Sequence, residues 1–502
     1  MKKAGGHSIP LLREPGRESG RPLYMRLYRR IREGVLEGAI PPGTRLPSAR
    51  TLAREEGISR NTVEAAFRQL RSEGFVTRRV GSGTWISERI PDRPRRPARP
   101  PAAAKRTAPD DVPSTRATAR LAGVSARGRR ILEAGTEAVE SPDLLFAPCV
   151  PGLDALPLDT WSRIAARSIR GATGSLMVPA PPAGLPALRE AVAAYLHLDR
   201  GVRCSPERVV IVNSTQQAID LVARLLLDPG DAVWLEDPGY VSARRAIAGC
   251  GARVVPVPVD GEGIDVAAGE ARAPRARLAC VTPSHQYPLG VTLSLARRLA
   301  LLDWAERTGG WILEDDYDSE LRYDGRPLAS VQSIDTSGRV LYVGTFNKIL
   351  FPALRVAYLV LPPELVEPFA RAKQNSDGFT SPLLQVALAE FIAEGHFAVH
   401  LRKVRSLYRE RRDRFLTAAA EHLPEEARLG PAEAGMHAVL HLPAGVDDEV
   451  VSERARRRGL SVPALSTHAI ESEASGLLVH YGNAAVDDIE SGTRRLGEVL
   501  RE

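Results

Sequence analysis

The chain has 502 residues, more than one ordinary domain needs, and 43% of them are hydrophobic, enough for sizeable cores. No apolar run reaches the roughly 18–20 residues of a membrane span, and the basic N-terminus lacks an apolar segment, so neither an anchor nor a secretory leader is expected. The net charge of +7 is split: residues 1–130 carry +17 and residues 131–502 carry −10. A basic first quarter on an acidic remainder predicts a polyanion-binding module joined to a second body. The four cysteines, Cys149, Cys204, Cys250 and Cys280, form no CxxC pair. They give no metal signal and fit a reducing compartment, so a cytoplasmic location is expected.

In chain order, residues 1–21 read as a tail and 22–88 as a folded module. Leu27, Ile31 and Val35, four apart, predict one face of an amphipathic helix. Ser48 caps a short second helix that Gly57 ends. Ser59 caps a third, with Val63, Phe67 and Leu70 as its buried stripe and Gly74 as its stop. Two β-prone runs around Gly81-Ser82-Gly83 predict a hairpin. Three helices and a hairpin make a winged helix-turn-helix. Such a module places the start of its recognition helix in the major groove. Here that start is Ser59-Arg60-Asn61-Thr62. Arg60 has the fork that suits guanine, and Asn61 reaches adenine or phosphate. Arg45 and Arg50 are candidates for phosphate contacts, and the small wing residues Gly81, Ser82 and Gly83 allow close approach to the DNA backbone.

Residues 89–140 alternate proline, arginine and alanine and are expected to be an extended, semi-rigid linker. From 141 to 502, short β-branched runs recur at 208–213, 232–237, 253–259, 277–283, 310–316 and 339–344. Helical patterns lie between several of them, so a mainly parallel sheet covered by helices is expected.

Four stretches of this body carry chemistry. GWILEDDYDSE ends a buried strand in acids, with Asp315 and Tyr317 two apart and hence on one side. In GTFNK, Lys348 stands among apolar and small residues. The chain has only six lysines beside 62 arginines. Lysine can lose its proton and attack a carbonyl; arginine cannot. Lys373 and Lys403 read as ordinary surface lysines. Arg355, seven residues past Lys348, suits phosphate. NSTQQAIDL opens a helix with Ser214 and Thr215, where free N–H groups favour phosphate, although alone it reads first as an N-cap. EDPGY puts Tyr240 at a strand end, where its ring can stack on a planar ligand. Together these describe a pocket for an aromatic aldehyde phosphate, pyridoxal 5'-phosphate.

The stretch PPGTRLPSARTLAREEGISRNTVEAAFRQLRSEGFVTRRVGSGTWIS resembles the DNA-binding domain of GntR-type bacterial regulators. TPSHQYPLGVTLSLARRLALLDWAE, EDDYDSELRYDGRPL and YVGTFNKILFPALRVAYLV resemble the MocR subfamily, which joins a winged helix to a fold-type I aminotransferase-like domain. The resemblance implies a multidomain chain: a winged helix-turn-helix, then a large α/β domain of that fold with a smaller C-terminal α+β subdomain. It implies Lys348 as the Schiff-base lysine, Asp315 as partner of the pyridine nitrogen, Tyr317 near the ring oxygen and Tyr240 packed on the cofactor. Ser214, Thr215, Thr345 and Arg355 fall at phosphate positions. It also implies a homodimer, often domain-swapped, that binds double-stranded operator DNA and senses an amine or the cofactor itself. The alternative is an active aminotransferase with an accessory DNA-binding domain.

The chain departs from the family pattern at several places. Asn347 replaces the usual serine, Ser214 a glycine, and Tyr287 the asparagine of an NPTG motif. Glu64 stands where a basic residue is common. GSLMVPAPPAGLPALRE lacks the usual YGDPAG pattern. SVPALSTHAIESEASG lacks the arginine that relatives use for a carboxylate. Sensing is therefore expected over transamination.

Overall fold

The computed structural model describes residues 22–79, 83–88, 123–133, 144–148, 150–171, 174–323 and 329–502. Its contacts divide the chain into two units, with the boundary between Val112 and Pro113.

The first unit contains α1 (Leu23–Leu36), α2 (Ala49–Glu56), α3 (Arg60–Ser72) and a hairpin of β1 (Val76–Arg79) and β2 (Gly83–Ile86). Leu27, Ile31 and Val35 of α1 are buried against Leu52 of α2 and Val63 and Leu70 of α3. The Ser48 hydroxyl accepts the Thr51 N–H, and the Ser59 hydroxyl accepts the Thr62 N–H, satisfying donors that the helix cannot. Gly57 ends α2 in the left-handed conformation, at φ +67°. One detail differs from expectation. Ala66, not Phe67, completes the buried stripe of α3; both sets fit the helical period equally, and Phe67 is half-buried on the flank. Gly81 and Ser82 lie outside the described residues.

The second unit is built on an eight-stranded sheet in the order β3-β10-β9-β8-β7-β4-β5-β6. The strands are β3 (Val209–Val212), β4 (Ala232–Asp237), β5 (Arg253–Asp260), β6 (Gly263–Ile264), β7 (Leu278–Val281), β8 (Trp311–Asp316), β9 (Val340–Thr345) and β10 (Ala357–Val360). β5, β4, β7, β8 and β9 run parallel; β10 is antiparallel to both its neighbours. Every residue of β3, β7, β8, β9 and β10 is buried. That explains their unbroken apolar runs: helices such as Thr215–Leu226 and Leu295–Thr308 cover a sheet whose faces are both removed from water.

A smaller antiparallel sheet of β11 (Arg428–Leu429), β12 (His437–His441) and β13 (Gly476–His480) packs with the helices His396–His422 and Val486–Leu500 into the C-terminal α+β subdomain. Residues expected as linker include a helix, Ala126–Glu133, which packs on the helix Val241–Cys250, with Ile131 against Gly249. The alanines and arginines there propagate a helix once the prolines stop. Among the described residues, no helix is long and apolar enough to cross a membrane.

Candidate functional site

Parallel strands bring their carboxyl ends to one edge of the sheet, where loops can converge on a ligand. Asp237, Thr282, Asp315 and Thr345 lie at those ends of β4, β7, β8 and β9. Strand β8 carries three acids in a row, and its alternation gives them separate work. Glu314 caps the turn Val331–Ile334, accepting the N–H groups of Val331 and Gln332 at 2.9 Å each. Asp316 pairs with Arg200 at 2.7 Å and accepts the Tyr342 hydroxyl at 2.5 Å. Asp315 turns the other way, into a pocket lined also by Glu236, Tyr240, Cys280 and Thr282. Its Oδ1 is buried with no hydrogen-bond partner. Burial, then the neighbouring Asp316, raises its pKa to about 8, while Lys348 acts to lower it. A buried carboxyl lacking a partner is complementary to a ring N–H.

Lys348 is half-buried just beyond β9, in the loop that returns through β10. Asn347 fixes this loop. Its backbone N–H donates to the Thr345 hydroxyl at 3.2 Å, and its side-chain oxygen accepts the Val356 N–H at 3.4 Å. An amide thus stands where a serine was expected because it spans the loop to the start of β10. Arg355 precedes that strand, exposed and at φ +52°.

Ser214 and Thr215 open the helix Thr215–Leu226 directly after β3. The Ser214 hydroxyl is spent on the Gln217 N–H at 3.1 Å, the N-cap reading of this motif. Asn213, one residue earlier, donates to Asp377 at 2.5 Å, and Asp377 accepts from Lys373 at 3.0 Å. Lys373 is no surface lysine: it is completely buried in that ion pair.

A second group surrounds Tyr287. Its ring meets those of Tyr240, Tyr317, His437 and His468 edge-on, with centroids 5.3–6.1 Å away. The Tyr317 oxygen lies 2.9 Å from Nδ1 of His285, which lies 3.0 Å from Asp318. If that Nδ1–H is given to Asp318, the Tyr317 hydroxyl keeps its own proton for a ligand. Nε2 of His285 is buried without a partner. Gly435 from the C-terminal subdomain presses on this pair at φ +76°; a Cβ there would lie 2.0 Å from the imidazole. Sequence reading singled out neither these histidines nor Asp318, because isolated residues on distant segments carry no spacing signal.

On the first unit, Ser59, Arg60 and Asn61 are exposed at the start of α3, with Thr62 half-buried. The Ser59 and Thr62 hydroxyls contact each other at 2.8 Å within the cap. Arg60 donates to Glu64 at 2.9 Å, one turn on. Arg45 and Arg50 are exposed; Arg45 lies over the Trp85 ring and closely approaches Gly83.

The two units have separate likenesses. Residues 23–86 match the family described as bacterial regulatory proteins, gntR family, and residues 152–473 match aminotransferase class I and II. The chain is 37% identical to the probable rhizopine catabolism regulatory protein MocR of Rhizobium meliloti, over 96% of this chain and 94% of that one. It is 32% identical to the pyridoxine biosynthesis transcriptional regulator PdxR of Corynebacterium glutamicum, over 96% of each. The second unit resembles LysN, an α-aminoadipate aminotransferase of Thermus thermophilus solved with N-(5'-phosphopyridoxyl)-L-leucine. The TM-score is 0.67 at 31% identity, covering 77% of this chain and 96% of that one. A helix-turn-helix ahead of a fold-type I aminotransferase domain defines a transcriptional regulator built on an enzyme's fold. The chain belongs to the gntR family of bacterial regulators, in its MocR branch.

Proposed function

We propose that the regulator holds pyridoxal 5'-phosphate in the second unit and that an amine arriving there changes its affinity for operator DNA. The observation that carries this reading is Asp315: a buried carboxyl with a free oxygen, raised to about 8, in a pocket beside Tyr240 and within the electrostatic reach of Lys348. A pyridine N–H would give the orphaned oxygen its partner and favour the ionised carboxylate. Lys348 would hold the aldehyde and Tyr317 the ring oxygen, with Tyr240 against the ring. The helix start at Ser214 and Thr215, together with Thr345 and Arg355, would hold the phosphate. When bound, the cofactor supplies a carbonyl that a primary amine can capture reversibly. Lys348 would hold that carbonyl while no other amine is present, so the loop from Thr345 to Arg355 would be the element that registers the ligand. DNA affinity then changes only as far as the amine favours one state over another. A homodimer, with the winged helix-turn-helix at 22–88 and the effector domain at 141–502, is part of this reading.

The test is spectroscopic. Full-length protein supplied with pyridoxal phosphate should show a visible absorbance band that Lys348→Ala abolishes. Operator affinity should change when an amine alters that band. No band in the wild type with added cofactor would sink the cofactor reading. A band that amines alter without any change in DNA affinity would sink the sensing role.

A further inference from the structure

The start of α3 sorts its polar side chains by what they can still do. The Ser59 and Thr62 hydroxyls bond each other at 2.8 Å, and Ser59 also accepts the Thr62 N–H at 3.1 Å, so both are engaged in the cap. Arg60 donates from Nε to Oε1 of Glu64 at 2.9 Å, its only partner among the described residues. The two terminal nitrogens of its fork are therefore open. Both side chains face water, at 68% and 43% exposure.

Glu64 is out of place by charge. It is the one acid in α3, within residues 1–130, whose net charge is +17. A carboxylate facing DNA phosphates costs affinity. The ion pair adds little stability in return, because exposed pairs of this spacing contribute weakly. What a carboxylate does offer is selection, since it only accepts hydrogen bonds. In the major groove guanine presents N7 and O6, and thymine presents O4, all acceptors that repel it. Adenine sets N7 beside its amino group. Cytosine presents an amino donor alone.

The two side chains also act as a linked unit. The bond at Nε fixes the guanidinium plane and leaves the end-on fork, which takes O6 and N7 of a guanine together. One helical turn, about 6 Å, separates the two residues along α3. Stacked bases lie about 3.4 Å apart. The carboxylate therefore meets the base pair next to the one that Arg60 fills.

Resting on the reading that α3 enters the major groove, we infer that Glu64 is a second base reader: Arg60 takes a guanine, and Glu64 takes the amino group of a cytosine in the neighbouring base pair. The operator then carries two adjacent G·C pairs at this place. Glu64 works chiefly by rejecting the other three bases at its own position.

The probe is random-sequence duplex DNA, bound to the full-length protein; the bound fraction is sequenced. The wild type should enrich sites that hold the two adjacent G·C pairs. Arg60→Ala should lose the guanine. Glu64→Gln should keep the guanine and lose the cytosine preference by about tenfold, with adenine gaining, because glutamine pairs with adenine N6 and N7. An enriched wild-type motif without the two pairs overturns the inference, and so does a Glu64→Gln motif identical to the wild type's. Loss of the guanine alone in Glu64→Gln also overturns it, since Glu64 would then only position Arg60. A wild type that enriches no motif marks failure of the underlying DNA-reading assignment instead. Both substitutions are at exposed side chains and leave the Ser59 cap intact.

Discussion

Single residues set the pH behaviour of the unliganded protein. Asp315 is raised to about 8, and Glu236 and Glu314 to about 7, in each case first by burial. A carboxyl raised in the folded state stabilises it fully below the unfolded pKa, and that contribution is lost as pH rises through the folded value. His468 and His480, lowered by burial to about 4 and about 3, act oppositely: their contribution is complete above the ordinary 6.5 and lost as pH falls toward those values. Between pH 6.5 and 8 these carboxyls dominate, so the melting temperature of cofactor-free protein should fall across that window. Asp315→Asn should flatten the fall; an undiminished slope would refute the assignment. On α3, Arg60 is held by Glu64 at an exposed i,i+4 pair, worth only about 0.3–0.5 kcal/mol. Arg60→Ala should weaken specific DNA binding by about 1–3 kcal/mol, and Glu64→Gln should strengthen binding modestly. Equal affinity for all three proteins in a binding assay would count against α3 as the reading helix.

At the scale of elements, the turn from β3 into the helix Thr215–Leu226 is braced by the chain Asn213–Asp377–Lys373 from the helix Pro363–Asp377. Asp377→Asn removes the charge facing a buried ammonium and relaxes that turn. Pyridoxal phosphate should bind about tenfold more weakly in equilibrium titration, while DNA binding by the isolated charge and helices of the first unit stays unchanged. Unaltered cofactor affinity would make the brace a matter of stability only. This brace was not legible in the sequence: Lys373 and Asp377, four apart on a helix, look like a surface pair, yet Lys373 is buried while Asp377 stays exposed. The sheet was legible because strands covered on both faces need unbroken β-branched runs, and α2 and α3 because Ser48, Gly57 and Ser59 mark their ends. That Asp315 lies at the carboxyl end of a buried strand could be read from the apolar run before it. The contacts of His437 and His468 with Tyr287 could not, since these rings come from β12 and from the loop between β12 and β13.

Across the whole molecule, the charge separation assigns the salt-dependent part of DNA binding to residues 1–130, whose net charge is +17. Counterion release should give a steep dependence of affinity on salt. Lys348→Ala should leave nonspecific affinity and that slope unchanged within about twofold; a markedly shallower slope would place part of the electrostatic contact in the second unit. The burial of Lys373 bears on something else: background reactivity. Aldehydes condense with exposed amines on most protein surfaces, but guanidinium groups stay protonated and do not compete. With Lys373 sealed, Lys403 is the only other described lysine that could rival Lys348 for a carbonyl reagent. Among the described residues an aldehyde probe would therefore have two candidate amines, Lys348 and Lys403, with Lys2, Lys3 and Lys105 the chain's remaining lysines.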